Sequence, residues 1–208
     1  MKRLTILILL AATAFSGLRS QNAVNSYLFG HSKAESPGKN LTIYGGLTHQ
    51  HQDFFDQVFS FTGIETGVLL KRNFLFGAYG SSFISNLKVE ISNSKKYYYL
   101  EQGGFVFGIN TNSQKLLHAG LLLNIGFFSF IGNSSAFSVF DTQSPSIKIS
   151  GIVNTPQAFA ELNIFKWMKF RTGLGYSFYS FNSHSVISKS DLQHVSLNFG
   201  FLFGKFSL

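Results

Sequence analysis

Residues 194–204 read HVSLNFGFLFG, with an apolar side chain at almost every second position. A repeat of two is the period at which side chains alternate across a β-strand. Five large apolar residues fall on one face of this stretch: Val195, Leu197, Phe199, Phe201 and Phe203. The opposite face carries His194, Ser196, Asn198, Gly200 and Gly204. The stretch therefore predicts a strand with one continuous apolar face.

The same two-residue rhythm extends back along the chain to residue 41. It predicts eight strands, at residues 41–49, 58–70, 74–84, 97–110, 116–130, 155–165, 170–181 and 192–206. The connections alternate between short ones (71–73, 111–115, 166–169) and long polar ones (50–57, 85–96, 131–154, 182–191). This is typical of an all-β fold, an eight-stranded antiparallel up-and-down transmembrane β-barrel with short periplasmic turns and longer outer loops. In the first short turn we expect Asn73 to take the left-handed conformation.

The second face of the predicted strands is poor in the charged residues of a water-exposed sheet. In residues 58–70 it carries Gly63, Glu65 and Gly67, and in residues 116–130 it carries glycines with isolated polar residues. Glycine weakens an open strand but makes room on a crowded, concave surface. The pattern favours lipid outside and a narrow interior, and leaves a soluble periplasmic barrel for a small ligand as an alternative.

Residues 1–20 have the pattern of a secretory signal peptide. Lys2 and Arg3 precede an apolar run from Leu4 to Phe15, which is shorter than the roughly 20 residues of a membrane-spanning helix. Residues 21–39 are predicted to be a periplasmic lead-in, and residues 40–208 the outer-membrane barrel. The predicted location is the outer membrane of a Gram-negative bacterium, reached after cleavage of the signal peptide.

The composition excludes several classes of function. Without residues 1–20 the chain has 188 residues, with 14 Lys and Arg against 9 Asp and Glu and no dense basic cluster, so no nucleic-acid partner is expected. The absence of cysteine excludes disulfides, thiol catalysis and a lipid-attached N-terminal cysteine. Charged residues are 12% of the chain, about half the usual share of a soluble domain. Outer-membrane lipids are the expected partners, and no cofactor is expected.

Aromatic residues stand where the membrane interfaces are predicted. Tyr97, Tyr98 and Tyr99 mark the outer end of one strand, and Trp167 lies in the third short turn. Such rings favour the headgroup zone, although aromatics also favour β-sheets in general.

The C-terminal part of the chain carries a recognisable motif. Residues 160–177 read AELNIFKWMKFRTGLGYS, and residues 203–206 read FGKF. This combination resembles small, uncharacterised outer-membrane β-barrel proteins of Bacteroidota, although Ser177 stands where an arginine often follows the tyrosine. The resemblance covers about the last fifty residues. It implies an outer-membrane barrel and no catalytic residues.

Polar residues on the predicted interior face form the first candidate site. The set is Glu65, His118, Asn124, Glu161, Asn163 and Arg171. Buried charges have to be paired, because an isolated one costs several kcal/mol. We expect Asn163 opposite Arg171, with Glu161 one pair further along the strand. The set predicts an internal salt bridge that holds the barrel together, and a proton or substrate path is the alternative.

Two weaker candidates carry other chemistry. His49, His51 and Asp53 alternate on one side of an extended segment, and imidazole and carboxylate groups suit a zinc-like ion. A polar loop tip is the simpler interpretation, so no metal is predicted. His194 and Ser196 have the spacing of a base and a nucleophile in lipid A deacylases. Their predicted inward orientation does not suit a lipid substrate, so no catalytic residue is predicted.

A barrel of eight strands has an interior that side chains can fill, which argues against a general diffusion pore. The predicted function is a non-enzymatic outer-membrane barrel with an envelope structural or surface-binding role through its outer loops. Loop 131–154, the longest, is the predicted contact for an extracellular or envelope protein partner. A lipid-modifying hydrolase and the soluble ligand-binding barrel remain the alternatives.

Overall fold

The computed structural model describes residues 27–29, 41–54, 57–83, 87–91, 94–111, 113, 115–133, 147–181 and 192–206. The predicted signal peptide and most of the predicted lead-in lie outside these residues. So do residues 134–146 of the predicted loop 131–154, and residues 182–191. Within the part that the structure describes, no helix has the length and apolarity needed to cross a membrane.

The described chain is almost entirely β-strand. The nine strands are β1 (Leu41–Phe54), β2 (Gln57–Leu70), β3 (Phe74–Phe83), β4 (Leu87–Ile91), β5 (Ser94–Thr111), β6 (Leu117–Asn133), β7 (Ile147–Phe165), β8 (Met168–Ser180) and β9 (His194–Gly204). Eight of them form a closed antiparallel ring, in which β1 pairs with β9 and β3 pairs with β5. The short β4 pairs with the first residues of β5, beyond the ring. The predicted eight-stranded barrel is confirmed.

Strands extend into three of the segments that were predicted to be long loops. Loop 50–57 was predicted wrongly, because β1 and β2 continue until Phe54 pairs with Gln57. Part of the segment 85–96 forms β4 and the start of β5. In the predicted loop 131–154, β7 already begins at Ile147 and pairs with β6. We call this end of the barrel the loop end, and the end with the short turns and the C-terminus the turn end.

The β2–β3 turn shows one backbone conformation that the sequence did not predict. Lys71 and Arg72 have φ angles of 47° and 66°, the positive values among the described non-glycine residues. Asn73, expected to be left-handed, instead donates its N–H to the carbonyl of Leu70 at 3.1 Å and accepts the N–H of Asn110 at 2.6 Å. The prediction for Asn73 is wrong because those two hydrogen bonds fix its backbone.

Side-chain exposure confirms the predicted faces. Ile64, Leu121, Phe127 and Phe201 point outward and are exposed. The residues directly before and after each of them in the strand point into the lumen. The lumen holds two clusters of buried apolar side chains. The one near the loop end comprises Phe59, Phe61, Phe83, Leu100, Phe128, Phe130, Ile149, Val153, Tyr179, Phe181 and Leu192. The one near the turn end comprises Tyr44, Leu69, Leu75, Val106, Leu122, Phe159, Leu202 and Phe206.

The left-handed turn gives a first testable prediction. We expect K71N/R72G to raise the free energy of unfolding by about 0.5–1 kcal/mol, because Asn and Gly adopt positive φ angles with less strain. Urea unfolding in lipid vesicles would measure it. K71A/R72A is the control: it removes the same charges but keeps the strain. An equal gain in both variants would contradict the explanation.

Candidate functional site

Four charged side chains meet inside the lumen, close to the turn end. Glu65 comes from β2, Glu161 from β7, and Lys169 and Arg171 from β8. All four are buried, because their positions alternate with the outward-facing residues of the same strands. We call them the lumenal charge network.

Arg171 connects the two carboxylates. Its Nη1 donates to Oε1 of Glu65 at 2.8 Å. Its Nε donates to Oε1 of Glu161 at 2.9 Å, and its Nη2 lies 2.8 Å from the same oxygen. Since β1 and β9 separate β2 from β8 in the ring, this guanidinium ties strands that share no backbone hydrogen bonds. Planar, charge-assisted contacts of this kind are the stronger class of protein hydrogen bond.

The second oxygen of Glu161 has three further partners. Lys169 Nζ lies 3.2 Å from Oε2, His118 Nε2 lies 2.8 Å from it, and Asn110 Nδ2 donates to it at 3.3 Å. The other ring nitrogen of His118 lies 3.1 Å from the carbonyl oxygen of Lys115. Glu161 is therefore the point at which β5, β6, β7 and β8 are joined through side chains.

Aromatic residues enclose the network. The Tyr44 hydroxyl donates to Glu65 Oε1 at 2.9 Å. The Arg171 guanidinium lies 5.0 Å from the Phe159 ring centroid, and Lys169 Nζ lies 4.6 Å from that of Phe206. Gly67 leaves space for Tyr44, since a Cβ atom there would lie 2.9 Å from the tyrosine oxygen. The Phe159 and Phe206 rings add cation–π attraction to the two cations.

The charges of the network balance, with two carboxylates against Lys169 and Arg171. Removing one partner of a buried pair leaves an uncompensated charge and typically costs about 3–5 kcal/mol. The geometry thus fits the predicted internal salt bridge, a structural tie across the lumen. Two of its members, Glu65 and Arg171, also line the small cavity described below.

The predicted register between β7 and β8 is wrong. Glu161, not Asn163, lies opposite Arg171, and Asn163 lies opposite Lys169. The connection is a two-residue turn, with Phe165 opposite Met168, and the register shifts between Asn163 and Phe165. The predicted pairing is displaced by two residues: the two-residue turn in place of an odd-length one accounts for one, and the β-bulge accounts for the other.

Of the six predicted interior residues, four come together: Glu65, His118, Glu161 and Arg171. Asn163 is buried nearer the turn end and donates to the carbonyls of Ser113 and Lys115 at 3.1 and 2.8 Å. Asn124 lies away from the network's hydrogen bonds and lines a small cavity that Glu65 and Arg171 also border.

Sequence reasoning missed one member of the network, Lys169, and two of its hydrogen-bond partners, Tyr44 and Asn110. Lys169 was assigned to the turn 166–169, whereas β8 begins at Met168. Its two-residue spacing from Arg171 was the signal that could have identified it.

A small cavity lies between the network and the cluster near the loop end. It has a volume of about 50 Å³ and is lined by polar side chains that include Ser81, Asn124, Gln157 and Asn198. Ser81 Oγ and Asn124 Oδ1 have no hydrogen-bond partner among the described residues. The volume suits about three or four water molecules and is too small for an organic substrate.

The candidate metal residues lie on β1 and not in a loop. His49 and His51 sit on the outward face, with ring centroids 4.6 Å apart. Their Nδ1 atoms lie 3.1 Å from Thr62 Oγ1 and 2.8 Å from Ser60 Oγ. The Asp53 side chain lies outside the described residues, among which no three His, Asp or Glu side chains are grouped for a metal ion.

The weak catalytic pair does not present a nucleophile to lipid. Ser196 is fully buried in the lumen, and its Oγ accepts a hydrogen bond from Asn198 Nδ2 at 3.2 Å. His194 begins β9 at the loop end and is half-buried. The inward parity expected for Ser196 is confirmed.

Solved structures with the same architecture include two bacterial proteins. Neisserial surface protein A matches with a TM-score of 0.57 and 12% identity, over 81% of this chain and 98% of that one. The outer membrane protein OprG from Pseudomonas aeruginosa matches with a TM-score of 0.50 and 9% identity, over 79% and 95%. No protein-family model and no curated protein matches the sequence. The likeness shows a fold shared with small outer-membrane barrels.

The network gives a second prediction. We expect Arg171→Met to lower the free energy of unfolding by about 3–5 kcal/mol, because Glu65 and Glu161 lose their shared cation while buried. Urea unfolding in lipid vesicles would measure the loss. Lys148→Met, at an exposed position on β7, is the matched control and should change stability by less than about 0.5 kcal/mol. A similar small effect of both substitutions would show that the network is not a structural tie.

Proposed function

We propose that the protein is an outer-membrane β-barrel without enzymatic activity, which acts in the envelope or at the surface through its loop end. The observation that carries the proposal is a belt of exposed apolar side chains around the barrel. Its members are Leu41, Ile43, Leu47, Ile64, Phe74, Phe76, Phe105, Phe107, Ile109, Leu121, Leu123, Ile125, Phe127, Ile152, Leu174, Phe178, Val195, Leu197, Phe201 and Phe203. So large a continuous apolar surface is unfavourable in water and suits lipid. Membership of Bacteroidota stays a prediction.

Stacked aromatic rings border the belt at the turn end. Trp167, which is 55% exposed, stacks on Phe165 with centroids 5.3 Å apart and on Phe203 with centroids 6.1 Å apart. Such rings favour the headgroup zone. At the loop end, the belt is followed by three exposed polar residues, Lys148, Ser150 and Glu101. The order of polar, apolar and aromatic zones supports a membrane-spanning orientation.

Three strands are much longer than a membrane requires. β5, β6 and β7 have 18, 17 and 19 residues, whereas a transmembrane strand needs about 9–11. Their excess lies at the loop end, where Gly132 pairs with Ile147 and Tyr98 with both Leu87 and Gly132. A sheet made of β4 to β7 therefore projects on one side of the barrel and carries the segment 134–146.

The filled lumen favours a role outside the barrel. Along the described strands, the apolar cluster near the loop end and the lumenal charge network fill the lumen except for the small cavity between them. Transport through such an interior would require both the apolar cluster and the lumenal charge network to rearrange. The projecting sheet is the surface that we assign to an extracellular or envelope protein partner.

The alternatives receive less support from the geometry. A lipid-modifying hydrolase would need a nucleophile open to the leaflet, and Ser196 is enclosed. A soluble ligand-binding barrel would expose the apolar belt to water, and the cavity suits water molecules better than a ligand.

The membrane assignment gives a third prediction. Phe105 is 63% exposed on the outward face of β5. We expect Phe105→Lys to cost about 2–4 kcal/mol of unfolding free energy in lipid vesicles, as a cation in the hydrocarbon does. If this face met water, the change would stay within about 0.5 kcal/mol. Ser150→Lys, on an exposed position beyond the belt, is the matched control and should be near neutral.

The surface role gives a fourth prediction. Replacing residues 134–146 by a Gly/Ser linker should leave a folded barrel in the outer membrane and abolish its crosslinks to a protein partner. In-cell crosslinking followed by mass spectrometry would measure this, and the same replacement of residues 182–191 is the control. Partner crosslinks that persist without residues 134–146 would contradict the assignment. A changed lipid A mass in a deletion strain would favour the hydrolase.

A further inference from the structure

We propose that residues 27–29 form a strap that closes the turn end of the barrel and shields Lys169, the member of the lumenal charge network that contacts Phe206, from water at that end. The β-bulge of β7 and Phe206, which follows β9, form the surface that receives it. The segment that binds this surface belongs to the same chain and consists of Tyr27, Leu28 and Phe29. The proposal does not depend on the surface role above, because it concerns the opposite end of the barrel.

Backbone hydrogen bonds attach the strap to the bulge. The N–H groups of Leu28 and Phe29 donate to the carbonyls of Asn163 and Ile164 at 2.9 and 3.0 Å. Pairing of β6 with β7 ends at Leu162, so these carbonyls lie beyond the ladder. In a regular strand, neighbouring carbonyls point to opposite sides, whereas a bulge re-aims one of them. The register shift thus supplies two adjacent acceptors for the strap.

The Tyr27 side chain fills the mouth of the barrel. It is 3% exposed, and its hydroxyl donates to the carbonyl of Phe206 at 2.8 Å. Phe206 is itself buried, and its N–H donates to the carbonyl of Lys166 at 3.0 Å. Tyr27 and Phe206 are therefore joined at the turn end of the lumen.

The contacts continue from the strap to the charge network. The Phe206 ring lies 4.6 Å from Lys169 Nζ, which pairs with Glu161. Tyr27, Phe206 and Lys169 thus form successive layers from the mouth inward. Without Tyr27, water would reach the Phe206 ring and then the ammonium group of Lys169.

The other two strap residues point outward. Leu28 and Phe29 are 49% and 57% exposed, and Phe29 stacks on Phe165 with centroids 5.5 Å apart. Phe165 in turn stacks on Trp167. Phe29 therefore extends the aromatic row, while Tyr27 provides the closure.

The test measures how fast an acylating reagent labels individual lysines in the mature protein, folded in lipid vesicles. Acetic anhydride is the probe, and mass spectrometry reads Lys169 against exposed Lys148 and Lys205. We expect Lys169 to react at least about tenfold more slowly than Lys148 in the unaltered protein. Tyr27→Ala should remove most of this difference and leave Lys148 unchanged. Leu28→Ala, which truncates the exposed neighbour, is the matched control and should leave Lys169 protected.

Two further measurements cover a variant that fails to fold. Tyr27→Phe keeps the ring and removes only the hydrogen bond to Phe206, so we expect a smaller increase in Lys169 labelling, about two- to fivefold. Hydrogen exchange of the unaltered protein should show protected amides at Leu28 and Phe29. Unprotected amides, or Lys169 labelling that neither Tyr27 substitution changes in a folded barrel, would overturn the proposal.

Discussion

The contact of Arg171 with both Glu65 and Glu161 is the constraint on which the rest of the barrel depends. Backbone hydrogen bonds join each strand only to its two neighbours, whereas this guanidinium links β8 to β2 across the lumen. Two buried carboxylates require such a partner, because each would otherwise lose its hydration without compensation. Lys169, His118 and Asn110 complete the shell of Glu161. Once these groups are in place, the closure and the mutual positions of the strands are fixed.

This interior constraint determines where the protein can act. Along the described strands, the lumenal charge network near the turn end and the apolar cluster near the loop end fill the lumen except for the small cavity between them. The outward face of the barrel is apolar. Among the described residues, the interior of the barrel contains a cavity of about 50 Å³ and no wide channel. The surfaces that remain are the sheet projecting from β4 to β7 and the rim at the turn end. The first supports the proposed contact with a partner, and the second accommodates the strap.

Most of the fold was predictable from the sequence, but only part of the site was. Alternation placed Ile64 and Phe201 outside and Glu65 and Ser196 inside, since facing depends only on parity within a strand. It also identified Glu65, His118, Glu161 and Arg171. It missed Lys169, because the end of a strand is harder to locate than its middle, and Tyr44, which reads as an ordinary strand aromatic. It misplaced the pairing of Arg171, because a bulge between Asn163 and Phe165 leaves no local signal.

The sequence by itself determined the eight strands of the ring, their faces and the apolar belt, because a period of two is a local property of the chain. The tertiary structure alone decided which side chains meet across the lumen and at its turn end, such as Arg171 with Glu65 and Tyr27 with Phe206. Those contacts depend on strand register and on closure of the ring. Both are set by the length of every turn and the position of every bulge. A shift of one residue in a single strand would turn its interior face outward. For this reason the pairings cannot be inferred one strand at a time.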